Sequence, residues 1–156
     1  MKKLILTLGF VVGVLVSAVC FYVFAPQLMI NEDRSRFDHA TTVLKISESA
    51  KGRGWSIPTM HHIDKTVAKA GFNIAPVTVI ELCKKELAGK VLAKAENRKV
   101  SSMMPCRVSI YEDADGKVVV SRMNTALISK LFDAEVAMVM EQATNETEAV
   151  LKAVIE

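Results

Sequence analysis

Several signatures are missing from this chain of 156 residues. It contains no Gly-x-Ser-x-Gly, no P-loop, no Rossmann glycine fingerprint and no His-Glu-x-x-His. Their absence removes nucleophile-elbow hydrolases, P-loop nucleotide hydrolases, Rossmann-type dinucleotide enzymes and zincin metalloproteases. Cysteine is scarce, with three residues and neither zinc-finger spacing nor the Cys-x-x-Cys-His haem-attachment pattern. Basic residues form no block. The formal net charge is +3, and Lys2 and Lys3 provide two of those charges. The remainder is nearly balanced, which excludes the clustered positive surface of a nucleic-acid binder. Internal repeats and low-complexity tracts are also absent.

What is present begins at the N-terminus. Leu4 to Ala25, LILTLGFVVGVLVSAVCFYVFA, is uncharged. As a helix it is about 33 Å long, enough to cross a bilayer core. Residues 1–3 form a positive n-region, 4–25 a transmembrane signal anchor and 26–30 a linker. The best small-residue cleavage site follows Ala25, but Pro26 stands next to it. The run is also longer than a usual signal-peptide core, so it reads as uncleaved, with a removed signal peptide as the competing reading. Ser17-Ala18-Val19-Cys20 makes a poor lipoprotein signal, because Val19 is bulky and the apolar run continues. The positive-inside rule keeps Lys2 and Lys3 in the cytoplasm. The rest of the chain then lies outside the cytoplasmic membrane, in the periplasm of a Gram-negative source.

Residues 31–156 are enough for one domain with a real core. Asn31 is expected to cap a first helix, with Glu32 and Asp33 in its first turn. Phe37, Ala40, Val43, Leu44, Ile46 and Ser47 form its apolar stripe, and Gly52 and Gly54 end it. His39 lies on this helix as a solvated residue. Trp55-Ser56-Ile57 reads as a short strand. A second helix spans 63–70, stopped by Gly71. Pro76 to Cys83 is a β-branched strand. Lys84-Lys85 reads as a solvated helix start. Leu87, Ala88, Val91, Leu92 and Ala95 follow on one helical face, and a polar loop covers 96–102. Cys106, Val108 and Ile110 alternate with Arg107, Ser109 and Tyr111, predicting a strand. Asp113-Ala114-Asp115-Gly116 turns it into a partner strand, Lys117 to Met123. The acidic cluster Glu112, Asp113 and Asp115 reads as turn chemistry. Asn124 caps a short helix, and a last helix carries Val136, Val139, Met140 and Ala143. The order is α-β-α-β-α-β-β-α-α, which predicts an α+β two-layer sandwich. Asn145-Glu146-Thr147 is a glycosylation sequon only in a eukaryotic secretory setting.

Three segments together resemble domain-of-unknown-function family 302, widespread in bacteria and archaea. They are Glu81-Leu82-Cys83, Met103-Met104-Pro105-Cys106-Arg107-Val108-Ser109-Ile110-Tyr111-Glu112 and Asp115-Gly116-Lys117. The Trp55 segment and Lys69-Ala70-Gly71-Phe72 are similar to the family as well, so the likeness covers about residues 35–154. The family often has Cys-Asn-Pro at the earlier cysteine, where this chain has Cys83-Lys84-Lys85. The resemblance implies an antiparallel sheet with helices packed on one face, and commonly a homodimer. It implies no established activity.

Cys83 and Cys106 are the only cysteines outside the apolar run. Cys83 leaves a strand just before a helix N-terminus, a place that favours a thiolate. Three readings stay open. The two residues are small buried hydrophobes, or a disulfide permitted by an extracytoplasmic setting, or part of a soft-ligand site. In the third, Met103, Met104 and Cys106 offer three sulfurs and His61-His62 offer imidazole, suiting Cu(I), another soft metal or haem iron. Adjacent histidines diverge, and His62 is the better candidate. The function expected is a non-catalytic binding module for a small ligand, haem or a soft metal near Cys83, Cys106, Met104 and His62. A thiol-redox protein using the same cysteines, or an assembly component without ligand, are the alternatives.

Overall fold

The computed structural model describes residues 2–155. Helix α1 (Lys2–Met29) contains Pro26 and continues past it. Its segment Gly9–Met29 is long and apolar enough to cross a membrane, and none of it is buried against the rest of the chain. Strand β1 (Ile30–Arg34) follows without a break. The expected linker 26–30 is therefore helix, with Ile30 opening the strand. Asn31, Glu32 and Asp33 do not start a helix either. They pair in antiparallel register with Arg122, Ser121 and Val120. The first domain helix is α2 (His39–Gly52), and its cap is Asp38, whose carboxylate accepts the Thr41 N–H at 3.0 Å.

Strand β2 (Met60–His62) was not expected, and it runs directly into α3 (Ile63–Ala68). Gly71 follows at φ +88°, a conformation open to glycine and strained for other residues. The rest is β3 (Val77–Leu82), α4 (Lys85–Leu92), a 3₁₀ helix (Ala95–Met103), β4 (Cys106–Glu112), β5 (Val118–Met123), α5 (Thr125–Ser129) and α6 (Ala134–Leu151). The stretch expected as a polar loop is thus a 3₁₀ helix. Ser56 and Cys83 form an isolated antiparallel bridge, a remnant of the strand expected at 55–57.

The five strands form one antiparallel sheet in the order β1-β5-β4-β3-β2. The β4–β5 hairpin turns as expected. Asp113 Oδ1 accepts the N–H groups of Asp115 and Lys117, and Gly116 takes φ +72°. The acidic cluster is therefore turn chemistry. The fold is an α+β sandwich with helices on one face of the sheet. Ile80, Val108, Ile110 and Val120 point towards Ile46 and Ala50 of α2 and Val150 and Leu151 of α6, and all of these are fully buried. Burying each large side chain contributes about 1.5–3 kcal/mol. The buried stripe of α2 is Thr42, Ile46, Ser47 and Ala50. Leu44, expected on that stripe, is 57% exposed.

A second core holds no strand residue. Val91, Val100, Val136 and Met140 pack together, joined by Met103, Met104, Ile128 and Phe132. Here α4, the 3₁₀ helix and α6 pack on one another. Val139 of α6 touches both cores.

Candidate functional site

The junction of the two cores is not filled. A half-open cavity of about 660 Å³ lies there and reaches round the sheet end to Val79, Ser109 and Ser121 of the uncovered face, within the range that holds drug-sized ligands. Leu87, Ala88 and Val91 of α4 line one side, and Val139, Met140, Ala143 and Thr147 of α6 another. Val100, Met103, Met104 and Cys106 close the end beyond the sheet, while Pro26, Met29, Ile30 and Met123 line the opposite part. The wall is mainly apolar and rich in sulfur, a soft surface that fits irregular apolar shapes.

Cys83, Cys106 and Met104 meet in this cavity. Leu82 sits opposite Cys106 in the β3–β4 register, which makes Cys83 a near neighbour. Both cysteines are free thiols, so the disulfide reading does not describe this structure. Burial pushes the Cys106 thiol up, and Cys83 raises it further. That is the opposite of an activated nucleophile. Cys83 is held by the preceding segment: its N–H donates to the Ser56 carbonyl at 2.9 Å, and its carbonyl accepts from Ser56 N–H and Oγ.

His62 does not join them. It pairs with Thr78, four residues along β3 from the partner of Cys106. That is about 13 Å. Its Nδ1 lies 3.3 Å from Thr78 Oγ1, and it does not line the cavity. His61 faces the uncovered side of the sheet, 3.1 Å from Glu81. That contact, with help from Arg107, holds the Glu81 carboxyl below its ordinary range. His39 is not simply solvated, since its Nε2 meets the Ile110 carbonyl at 3.2 Å. Among the described residues no three His, Cys, Asp or Glu side chains converge on one point. The soft donors of the cavity are therefore thiol and thioether alone, without the imidazole expected from His62.

Each charged residue of the wall has an ion-pair partner, on the wall or beside it. Arg122, 9% exposed, binds Glu148 through Nε and Nη2 at 2.9 and 2.7 Å and Asp33 through Nη1. Lys84 pairs with Glu146 and stands 6.0 Å over the Trp55 ring, so it is not the solvated helix start expected. Arg107 pairs with Glu81. Two buried polar atoms among the described residues lack a hydrogen-bond partner, Trp55 Nε1 and Thr147 Oγ1, and both residues line the cavity. Composition and periodicity point to neither. Thr147 is one hydroxyl on an amphipathic helix, and its surroundings come from distant elements.

An antiparallel five-stranded sheet, helices on one face and an apolar cavity at the sheet end define an α+β domain behind a span-length helix. The family profile described as "Domain of unknown function DUF302" matches residues 32–156. The chain belongs to that family. The crystal structure of an uncharacterized conserved DUF302 protein from Bacillus stearothermophilus superposes with a TM-score of 0.72 at 17% identity. The match covers 80% of this chain and 97% of that one, a likeness of fold. No curated protein matches the chain.

Proposed function

We propose that the domain is a membrane-anchored, extracytoplasmic binding module for an apolar small molecule, held in the cavity beside Cys83, Cys106 and Met104. The observation that carries this reading is the half-open cavity of about 660 Å³ at the end of the sheet, walled mainly by apolar side chains. An apolar wall left open to water is a favourable surface for an apolar ligand to cover. The anchor is α1, and the outward orientation follows from Lys2 and Lys3 preceding the span. Thiol-redox chemistry fits less well, because burial favours the neutral Cys106 thiol.

The full chain, purified in mild detergent, should bind an apolar dye that fluoresces in dry surroundings. Ala143→Phe, placed to fill the cavity, should abolish that binding while the circular dichroism spectrum and melting cooperativity are kept. Undiminished dye binding by the filled variant overturns the reading. Absorption spectra and metal content of the same preparation test the alternative: haem or a metal at one per chain, lost in Cys106→Ser, would make the site a soft-ligand centre. Light scattering on that preparation reads whether two copies associate.

A further inference from the structure

We propose that the occupant is a single-chain amphiphile with a neutral hydrogen-bonding head, taken directly from the bilayer. This rests on the binding reading above and adds where the ligand comes from and what its head must be.

The source follows from the cavity's neighbours. Pro26 and Met29, in the last residues of the span-length helix, line it together with Ile30. Its wall therefore includes the end of the membrane segment, at the depth where that segment meets the headgroups. The structure fixes this placement. Asn124 N–H donates to the Met29 carbonyl at 2.7 Å, and Ile30 pairs with Met123. Apolar side chains around this junction are exposed: Ile30, Met123, Leu127 and, at 83%, Leu131.

The head follows from the polar atoms. Every charged residue on the wall has a partner, as described above. An ionised head would be buried without a counter-charge, which is strongly unfavourable. Thr147 differs from all of these. It is 7% exposed, it lines the cavity, and its hydroxyl has no partner. A buried hydroxyl is normally satisfied; Thr147 Oγ1 is covered in this structure, and a turn about χ1 to another staggered rotamer would bring it to the hydroxyl or carbonyl oxygen of a neutral ligand. Trp55 Nε1 is covered and interacts with the Glu146 carboxylate, so it is not one of the head's partners. The cavity's volume suits one chain, not a whole two-tailed phospholipid.

Trp55 is the only tryptophan in the chain and lines the cavity, so its fluorescence reports on occupancy. The full chain is reconstituted in phosphatidylcholine vesicles, and dibrominated stearyl alcohol is added as the quenching probe. Saturable quenching is expected, much weaker with dibrominated stearate at a pH where it is ionised, and absent with vesicles of dibrominated phosphatidylcholine. Thr147→Val, nearly isosteric, should weaken the alcohol about fivefold, the effect of one lost hydrogen bond. A dibrominated alkane should be unaffected by that change. Thermal melting confirms that the variant folds. Equal quenching by the brominated phospholipid, or no effect of Thr147→Val on the alcohol, overturns the proposal. If the apolar dye binds in detergent but the alcohol fails from vesicles, this inference falls and the binding reading stands. If neither binds, both fall.

Discussion

Asn124 Nδ2 donates to the Leu28 carbonyl at 2.9 Å. The same side chain accepts the Leu127 N–H through Oδ1 at 3.1 Å, capping α5. One amide therefore joins the last turn of the apolar helix to the first turn of α5. Asn124→Ala removes both bonds and should cost about 1 kcal/mol of stability for the cap alone. Asn124→Asp keeps the acceptor and loses the donor. Hydrogen exchange on the full chain separates the two. Exchange at residues 127–129 should rise in the alanine variant only, while the contact to Leu28 should loosen in both. Unchanged exchange in the alanine variant would show that α5 needs no cap.

Tyr111 donates its hydroxyl to Glu32 at 2.6 Å, across the uncovered face of the sheet. This bond holds the Tyr111 phenol proton and, with burial, pushes its pKa up to about 12. The shift is upward, so the stability it contributes is complete below the ordinary tyrosine value near 10 and is lost as pH rises towards about 12. Ultraviolet titration should show Tyr111 ionising late, and Glu32→Gln should bring the transition down. An unchanged transition would mean the hydrogen bond does not hold the proton.

These two contacts also show why part of the fold was legible in the sequence and part was not. The β4–β5 hairpin follows from alternation around Asp113 to Gly116, information contained within about eighteen residues. Strand β1 does not. Asn31, Glu32 and Asp33 carry the residue types of a helix start, and α2's true cap, Asp38, comes later. What makes 30–34 a strand is Arg122 and Tyr111, some 80–90 residues away, which take up the charges of Asp33 and Glu32. Helical periodicity over a short window cannot register such partners. Strand β2 is only three residues long and so falls below any period. Cys83 and Cys106 were legible as a pair because each sits at a strand end. His62 sits at the far end of the same sheet, a matter of register that composition does not carry. The cavity was invisible for a related reason: its wall is assembled from α1, α4, the sheet and α6, which lie far apart along the chain.

Cys106 should behave as a reluctant thiol. Burial, and then the neighbouring Cys83, shift it above the ordinary range. Only the thiolate alkylates, so its rate with iodoacetamide should keep climbing above pH 8.5, where a free thiol would begin to level off. Mass spectrometry of timed alkylation on the full chain checks this. Cys83→Ser removes one of the two causes and should speed Cys106 at a given pH. Rapid labelling of Cys106 at pH 7 would instead revive the thiol-redox reading.

Arg122 is the least exposed cation on the cavity wall, and it clasps Asp33 of β1 and Glu148 of α6 at once. Burial alone would lower its pKa, but the bonds to Glu148 and Asp33 outweigh that and raise it, so it stays charged throughout the useful pH range. Arg122→Met leaves two carboxylates facing each other over an apolar wall. The expected loss is roughly 3 kcal/mol, at the low edge of what breaking a buried pair costs, because both acids are partly exposed. Arg122→Lys should also destabilise, since a single ammonium cannot hold Glu148 through two donors and reach Asp33 as well. The discriminating variant is the triple Arg122→Met, Asp33→Asn, Glu148→Gln. Removing both charges along with the cation leaves nothing ionised without a partner, so denaturant unfolding should recover much of the loss. If the triple is no more stable than Arg122→Met alone, the arginine acts by filling space beside the cavity and the ion pairs contribute little. If Arg122→Met is itself neutral, the clasp does not hold β1 to α6, and the wall's charges would not be locked in pairs as the neutral-ligand reading requires.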